Sequence, residues 1–228
     1  GRVKIVINTG EQGTDLAIRY SKQAEELGAD ALMIRPPTFI PVPDDEIAEY
    51  FRRIALAVNI PIFMQDQSNG QVSPGLAVRC SKLHENLCYI KIESPPTVPR
   101  VAQAATLKGD SGLVLFGGAG GQFLLEELRR GSVGSMPGCA LPDVFVRLWD
   151  MWQNSQEADA EREFHRYSTL LRTLSQGLGW VGWIYKEILV QRGVFKQSSA
   201  YDRHPGLKPD QAAVQELQFI LDELGLRK

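Results

Sequence analysis

The sequence is poor in cysteine, and it has neither an excess of charge of one sign nor a long apolar run. Only three cysteines occur in 228 residues, and their spacing matches neither a disulfide framework nor a paired zinc-binding motif. The formal net charge is -2, which lacks the electrostatic character of a nucleic-acid-binding protein. No apolar stretch is long enough to cross a bilayer, and the first residues do not have a signal-peptide layout. We therefore expect no nucleic-acid partner, no membrane insertion and a cytoplasmic location.

The sequence does contain a series of short apolar runs rich in β-branched residues. Its 43% hydrophobic and 23% charged residues are typical of a globular protein. Continuous apolar runs of this length indicate strands that are buried on both faces of a parallel sheet. The runs are residues 4–8 (KIVIN), 31–35 (ALMIR), 60–65 (IPIFMQ), 88–93 (CYIKIE), 113–116 (LVLF) and a weaker one at 133–136.

Segments with a helical period separate these runs. Thr14 is predicted to cap a helix that ends at Gly28, and Ser73 with Pro74 is predicted to begin another. Strand and helix thus alternate in the first part of the chain, which is the pattern of βα units. From Leu141 onward the apolar stripes are helical only. We predict one α/β domain, with βα units in residues 1–140 and packed C-terminal helices in residues 141–228.

These units are compatible with a doubly wound sheet and with an α/β barrel. The turn after the first run reads NTGEQGTD, which misses the G-x-G-x-x-G spacing of a dinucleotide site. The glycines at 117–121 are better placed to contact an anion, so Gly117 and Gly118 are candidate substrate-binding residues. A tight turn between strand and helix explains these glycines equally well.

Lys91 interrupts an otherwise apolar strand. Strand alternation places Lys91 and Glu93 on one face, which in a barrel would be the interior, near the strand end where barrel active sites lie. Burial there favours the neutral amine that a Schiff-base nucleophile needs. Glu93 would instead favour the ammonium, or would relay protons after the imine forms. A lysine on an edge strand, paired to Glu93 and with its head in water, fits the pattern equally well.

Four stretches in this order resemble the dihydrodipicolinate synthase and N-acetylneuraminate lyase family. They are ELGADALMIRPP, IALAVNIPIFMQD, YIKIES and the glycine-rich turn after LVLF. The resemblance places the lysine of the family at Lys91. It implies a (β/α)8 TIM barrel whose lysine forms an imine with the keto carbon of pyruvate or another 2-keto acid, in a homodimer or homotetramer. We expect no cofactor and no metal, since His84, His165 and His204 are isolated in the sequence.

Two strand ends differ from the synthase pattern of this family. QDQS stands at 65–68 where Tyr-Asn-x-Pro is usual, and RPPT stands at 35–38 where Thr-Pro-Tyr-Tyr is usual. The Gln-Asp pair, the Lys-Ile-Glu strand and the run RHPGL at 203–207 are more similar to the branch that dehydrates 2-keto-3-deoxy sugar acids, such as 2-keto-3-deoxyarabonate.

The resemblance therefore implies a class I Schiff-base lyase that acts on a small 2-keto acid. The reaction is dehydration or aldol cleavage of a 2-keto-3-deoxy sugar acid, or a synthase-like condensation of pyruvate. Lys91 is expected to form the imine and Glu93 to carry the protons, with Gln65 or Asp66 orienting the substrate and Arg35 binding a carboxylate. A non-catalytic barrel relative that binds a keto or sugar acid remains open because the tyrosines are missing. A phosphate-binding barrel enzyme that uses residues 117–121 also remains open.

The start of the chain aligns with the interior of the family barrel. KIVINTG corresponds to the third strand. We therefore expect a fragment that holds barrel units three to eight, lacks the first two βα units and carries a C-terminal helical extension.

Overall fold

A computed structural model describes residues 2–197 and 207–227 of the chain. The residues group into two compact units. The first contains the chain up to Ala119 together with Phe123–Met136, and the second contains Gly120–Gln122 and the chain from Pro137 onward. Residues 203–206 of the run RHPGL, which include His204, lie outside the described residues.

The first unit is built on five parallel strands. They are β1 (Val6–Asn8), β2 (Ala31–Ile34), β3 (Ile62–Asp66), β4 (Tyr89–Ile92) and β5 (Val114–Gly117). Their spatial order is the same as their order in the sequence. A doubly wound sheet reverses its strand order at a switch point, so this arrangement has the sequential winding of an α/β barrel. The five strongest apolar runs are thus confirmed as strands.

The sixth predicted strand, at 133–136, forms only in part. One parallel bridge joins Ser135 to Gly117 of β5, and the Val133 amide donates to the Leu115 carbonyl. The hydroxyl of Ser132 donates at 2.6 Å to the Gly134 carbonyl. This local hydrogen bond competes with a regular ladder, so the segment follows β5 without becoming a full strand.

Five helices follow the strands in this unit. They are α1 (Thr14–Glu26), α2 (Asp44–Ala55), α3 (Pro74–Ser81), α4 (Thr97–Lys108) and α5 (Leu124–Leu128). The predicted start of α3 is confirmed, since the Ser73 hydroxyl accepts from the Leu76 amide and Pro74 is the first helical residue. The predicted cap of α1 is wrong by one residue, because Gly13 occupies the cap and Thr14 already lies in the helix. Gly28 follows α1 with φ +87°, the left-handed conformation expected at a helix end.

The two faces of the sheet bury different residues. Alternate side chains of β2 to β5, including Leu32, Met64, Ile90 and Leu115, pack with the helices in the main hydrophobic core. The other alternate positions form a smaller interior cluster around Ala31, Met33 and Phe63, against which Val6, Tyr89, Phe116 and Met136 pack. The period of two therefore separates a helix-facing side from an interior side.

The second unit is helical, as the apolar stripes predict. Its helices are α6 (Pro142–Gln153), α7 (Glu157–Arg166), α8 (Ser168–Thr173), α9 (Leu178–Gln191) and α10 (Gln211–Glu223). The stripe at 161–174 is divided between α7 and α8 at Tyr167, a buried residue whose hydroxyl bonds to Arg147 and Glu163. Among the described residues, no helix combines the length and the apolar character needed to span a bilayer.

Candidate active site

Lys91 lies on the interior face of the sheet, in the middle of the paired strands. It is in register with Gln65 on β3 and with Phe116 on β5. Its neighbours Ile90 and Ile92 point to the helices and are buried in the main core. The predicted alternation of β4 is therefore confirmed, and it sets the Lys91 ammonium apart from the apolar helix-facing side.

A carboxylate accompanies this lysine. The Nζ atom of Lys91 lies 3.0 Å from Oε1 of Glu93, and the two side chains are only 13% and 16% exposed. An ion pair that is shielded to this extent is screened less by water and salt than a surface pair. Glu93 therefore compensates the charge of the Lys91 ammonium inside the protein, and its carboxylate can also accept a proton.

Two amide side chains hold the second oxygen of Glu93. Gln65 Nε2 donates to Oε2 at 2.8 Å, and Gln67 Nε2 donates to the same atom at 3.3 Å. Both come from one face at the end of β3, because residues 65 and 67 are two apart. Sequence reasoning selected Gln65 and missed Gln67, although continuing the period of two past the end of the strand would have found it.

The glycine turn after β5 completes the contacts of Glu93. The amide of Ala119 donates to Oε1 at 3.3 Å. A side chain at Gly118 would place its Cβ 2.3 Å from Cγ of Glu93, so only glycine leaves room for this carboxylate. A Cβ at Gly117 would instead lie 1.7 Å from Oε2 of Glu127. The spaces at both glycines are thus occupied by acidic side chains, which is unfavourable for a phosphate.

Aromatic side chains share the interior face of the sheet with Lys91. Phe63 and Tyr89 stack with ring centroids 4.4 Å apart, and Phe116 meets Phe63 edge-on at 5.3 Å. Phe116 is in register with Lys91, so an apolar cluster lies next to the Lys91–Glu93 pair, and a lower local dielectric strengthens an ion pair.

Asp66 does not join this group. It lies on the helix-facing side, fully buried, where its carboxylate accepts from the Arg100 guanidinium at 2.9 and 3.0 Å. The Ser94 hydroxyl and the Val72 amide donate to it as well. The sequence placed Gln65 and Asp66 together because they are adjacent, but adjacent strand residues point to opposite faces.

Arg35 follows β2 at the same end of the sheet as Glu93. Its side chain is half-buried, and its Cγ would lie 3.1 Å from a Cβ at Gly70. No carboxylate among the described residues forms an ion pair with its guanidinium. The structure therefore leaves this cation available for an anionic group, without bringing it into contact with Lys91.

In the described part of the chain, no group of three His, Cys, Asp or Glu side chains lies close enough together to hold a metal ion. His165 lies on α7 beside Glu161, with 3.1 Å between Nε2 and Oε1. The Nδ1 atom of His84 accepts from the amide of Asn86. Each of these two histidines thus has a local partner.

The strands of the parallel sheet follow their order in the sequence, and a shielded lysine and its carboxylate lie on the interior face. These two features place the chain in the class of α/β barrel proteins that carry an interior lysine. The sequence profile of the Dihydrodipicolinate synthetase family matches residues 1–224, so the chain belongs to this family. The match includes the five strands and the described helices up to α10.

Individual relatives agree with this assignment. The chain is 29% identical over 236 residues to an L-2-keto-3-deoxyarabonate dehydratase of Azospirillum brasilense, an alignment that covers all of this chain and 75% of the relative. It is 25% identical over 170 residues to a probable 2-dehydro-3-deoxy-D-pentonate aldolase of Escherichia coli, covering 70% and 55%. The fold resembles the crystal structure of dihydrodipicolinate synthase from Thermotoga maritima, with a TM-score of 0.88 and 18% identity over 99% of this chain and 77% of that one.

Proposed function

We propose that this chain provides the catalytic lysine of a class I lyase that acts on a 2-keto-3-deoxy sugar acid by dehydration or aldol cleavage. The observation that carries the proposal is the Lys91–Glu93 pair, 3.0 Å apart and shielded on the interior face. Relatives named as a dehydratase and as an aldolase support the choice of reaction class. Synthase-like condensation of pyruvate is a less favoured variant of the same chemistry, because Gln65 occupies the strand end where the synthase pattern has tyrosine.

Imine formation begins when Lys91 transfers a proton to Glu93. The neutral Nζ attacks the keto carbon of the substrate and forms a carbinolamine, which loses water to give the imine. The proton that Nζ releases and the proton that hydroxide needs to leave as water both pass through a carboxyl at hydrogen-bond distance. Glu93 is placed for this exchange by its contact with Lys91.

The imine then makes a proton on C3 of the substrate acidic. In dehydration, a base removes this proton and the C4 hydroxyl leaves as water after it is protonated, which conserves atoms and charge. In aldol cleavage, a base removes the proton of the C4 hydroxyl, the C3–C4 bond breaks, and its electrons form the enamine. In both cases we assign the proton transfer to Glu93, which Gln65 and Gln67 hold in place.

The remaining predicted residues have separate roles in this proposal. Arg35 would bind the substrate carboxylate, as a guanidinium with no carboxylate partner in the described residues. Asp66 would act indirectly, because its bonds to Arg100 and to the Val72 amide fix the loop that follows Gln65 and Gln67. Gly117 and Gly118 would give space to carboxylates rather than bind substrate directly.

Chemical trapping tests the proposal. The protein is incubated with pyruvate and borohydride, digested, and searched by mass spectrometry for a reduced adduct on the Lys91 peptide. Hydride reduces the imine to a stable secondary amine, so a lysine-specific mass increase is expected. A folded protein that gives no adduct on Lys91 would contradict the proposal.

A non-catalytic binder of a keto or sugar acid is a second candidate. The absence of the synthase tyrosines from residues 35–38 and 65–68 favours it. This candidate predicts ligand-dependent stabilisation without an adduct, which the same samples report in a thermal shift measurement. A homodimer or homotetramer stays a prediction, which light scattering at several protein concentrations would check.

A further inference from the structure

A second carboxyl group is buried behind the lysine site. Glu127 on α5 is 1% exposed. Its Oε1 accepts a 2.7 Å hydrogen bond from the hydroxyl of Thr97 on α4, whereas its Oε2 is buried without a hydrogen-bond partner in the described residues. An unsatisfied carboxylate oxygen in this position is costly, and the mechanism above makes no use of it.

The glycine turn connects this carboxyl group with the lysine site. Oε2 of Glu127 occupies the space that a side chain at Gly117 would need, and Glu93 occupies the corresponding space at Gly118. Consecutive residues of an extended strand end face opposite sides. Two carboxyl groups therefore lie on the two faces of one short piece of backbone, with no side chain between them.

The surroundings of Glu127 favour its neutral form. Burial raises the pKa of its carboxyl to about 7, and the negative charges of Glu126 and Glu93 act in the same direction, while the hydrogen bond from Thr97 opposes them. None of the groups that act on this pKa is a cation. Because the interaction between two charges is mutual, a negative charge on Glu127 also repels the negative charge of Glu93.

We propose that Glu127 is a positioning residue that controls the Lys91–Glu93 pair through its own charge. When Glu127 is neutral, no charge behind Glu93 promotes transfer of the Lys91 proton to Glu93. When it ionises, the repulsion between the two carboxylates favours this transfer, which neutralises Glu93, and imine formation becomes faster. This inference rests on the proposed function, and the groups involved are Glu126 on α5, Glu93 after β4, Lys91 on β4 and the Thr97 hydroxyl on α4.

The test compares the rate of imine formation in the intact protein and in Glu127→Gln across a range of pH. The protein reacts with pyruvate in the presence of cyanoborohydride, and the reduced adduct on the Lys91 peptide is quantified with time at pH 6, 7 and 8. Glutamine is similar in shape to the neutral carboxyl and never ionises. We expect the two proteins to react at similar rates at pH 6 and the variant to be about three- to tenfold slower at pH 8.

Two further variants separate a charge effect from a packing effect. The rate of imine formation should change in a step at the pH where Glu127 ionises. Glu126→Gln removes a neighbouring negative charge, so this step should move to lower pH. Thr97→Val removes the hydrogen bond that stabilises the ionised carboxyl, so the step should move to higher pH. Opposite displacements of one step would not arise from general loosening of α5, and these variants also serve if Glu127→Gln does not fold.

The outcomes are distinct. A rate ratio between variant and wild type that is constant from pH 6 to pH 8, or an unmoved step in both neighbouring variants, would overturn the role of Glu127 and leave the proposed function standing. Absence of any Lys91 adduct in the folded wild-type protein at all three pH values would overturn the proposed function, and the role of Glu127 with it.

Discussion

Gln65 and Glu93 meet through a 2.8 Å hydrogen bond between the amide nitrogen and the carboxylate. They come from the ends of neighbouring parallel strands and are 28 positions apart in the sequence. No described residue donates to the amide oxygen of Gln65, so this oxygen can accept a hydrogen bond from a substrate hydroxyl. In the proposed lyase, this residue, which replaces a tyrosine of the synthase pattern, would both orient the carboxylate and offer an acceptor to a polyhydroxylated substrate.

Replacement of the lysine is the most direct test of the site. Lys91→Ala should abolish the borohydride adduct and lower turnover of a 2-keto-3-deoxy acid by at least about a thousandfold, because no other amine occupies this position. The control is Lys82→Ala, which changes an exposed lysine at the end of α3. This variant should keep both the adduct and the turnover. Full turnover in Lys91→Ala with a normal circular dichroism spectrum would rule out imine chemistry at this residue.

The hydrogen bonds to Glu93 should contribute unequally. Gln65→Ala removes the 2.8 Å bond, and we expect kcat to fall about tenfold, the loss of a hydrogen bond to a charged group. Gln67→Ala removes a longer bond of 3.3 Å and should have a smaller effect. Steady-state kinetics of both variants would check the order, and a larger loss for Gln67→Ala would contradict this reading of the distances.

The glycines of the turn should respond according to the carboxyl group that each accommodates. Gly118→Ala forces Glu93 to move and should reduce kcat more than stability, whereas Gly117→Ala displaces buried Glu127 and should destabilise the fold by about 1–3 kcal/mol. Gly75→Ala on α3 is the matched control, since nothing lies within 4 Å of its added Cβ. Urea unfolding and kinetics of the three variants would show whether the two effects separate in this way.

Protein stability should fall as pH rises toward neutrality. The pKa of Glu127 is raised from an ordinary value of 4.5 to about 7, so the folded state binds a proton that the unfolded state releases between these values. The contribution of this group is fully present below pH 4.5 and is lost by about pH 7, an effect of about 3 kcal/mol. Relative to wild type, Glu127→Gln should therefore gain stability between pH 5 and pH 8, measured by urea unfolding at both values. An equal difference at the two pH values would contradict this assignment.

The buried ion pair between Asp66 and Arg100, on the helix-facing side of β3, should be important for stability. Asp66 is fully buried and its partner Arg100 is 17% exposed, so Arg100→Met leaves an uncompensated buried carboxylate and should cost about 3–5 kcal/mol. Arg79→Met breaks an ion pair with Asp45, whose side chain is 89% exposed, and should cost about 1 kcal/mol or less. Equilibrium unfolding of both variants would compare the two pairs.

The strands and their faces were accessible from the sequence because both depend on local pattern. Apolar β-branched runs predicted β1 to β5, and the period of two predicted that Lys91 and Glu93 share the interior face. The same rule, applied to Asp66, would have separated it from Gln65. Adjacency in the sequence suggested a shared role, whereas the pleat of the strand turned Asp66 toward Arg100.

Other features depended on residues that are distant in the sequence. In the sequence, Glu127 is one acidic residue of a short helix, and no feature of the neighbouring sequence distinguishes it from Glu126. Its burial requires β5, α4 and α5 to pack together, and its fit requires the absence of a side chain at Gly117. Neither condition is visible in a pattern of one sequence.

The sequence by itself determined the βα alternation, the identity and face of the lysine, and the similarity to one family, because these follow from periodicity and from short motifs. Tertiary structure alone decided that Glu93 receives two glutamine amides and the amide of Ala119, and that a second carboxyl lies behind it. Hydrogen bonds and pKa values depend on distances of a few ångströms and on the exclusion of water, and these are established only when separate strands and helices pack.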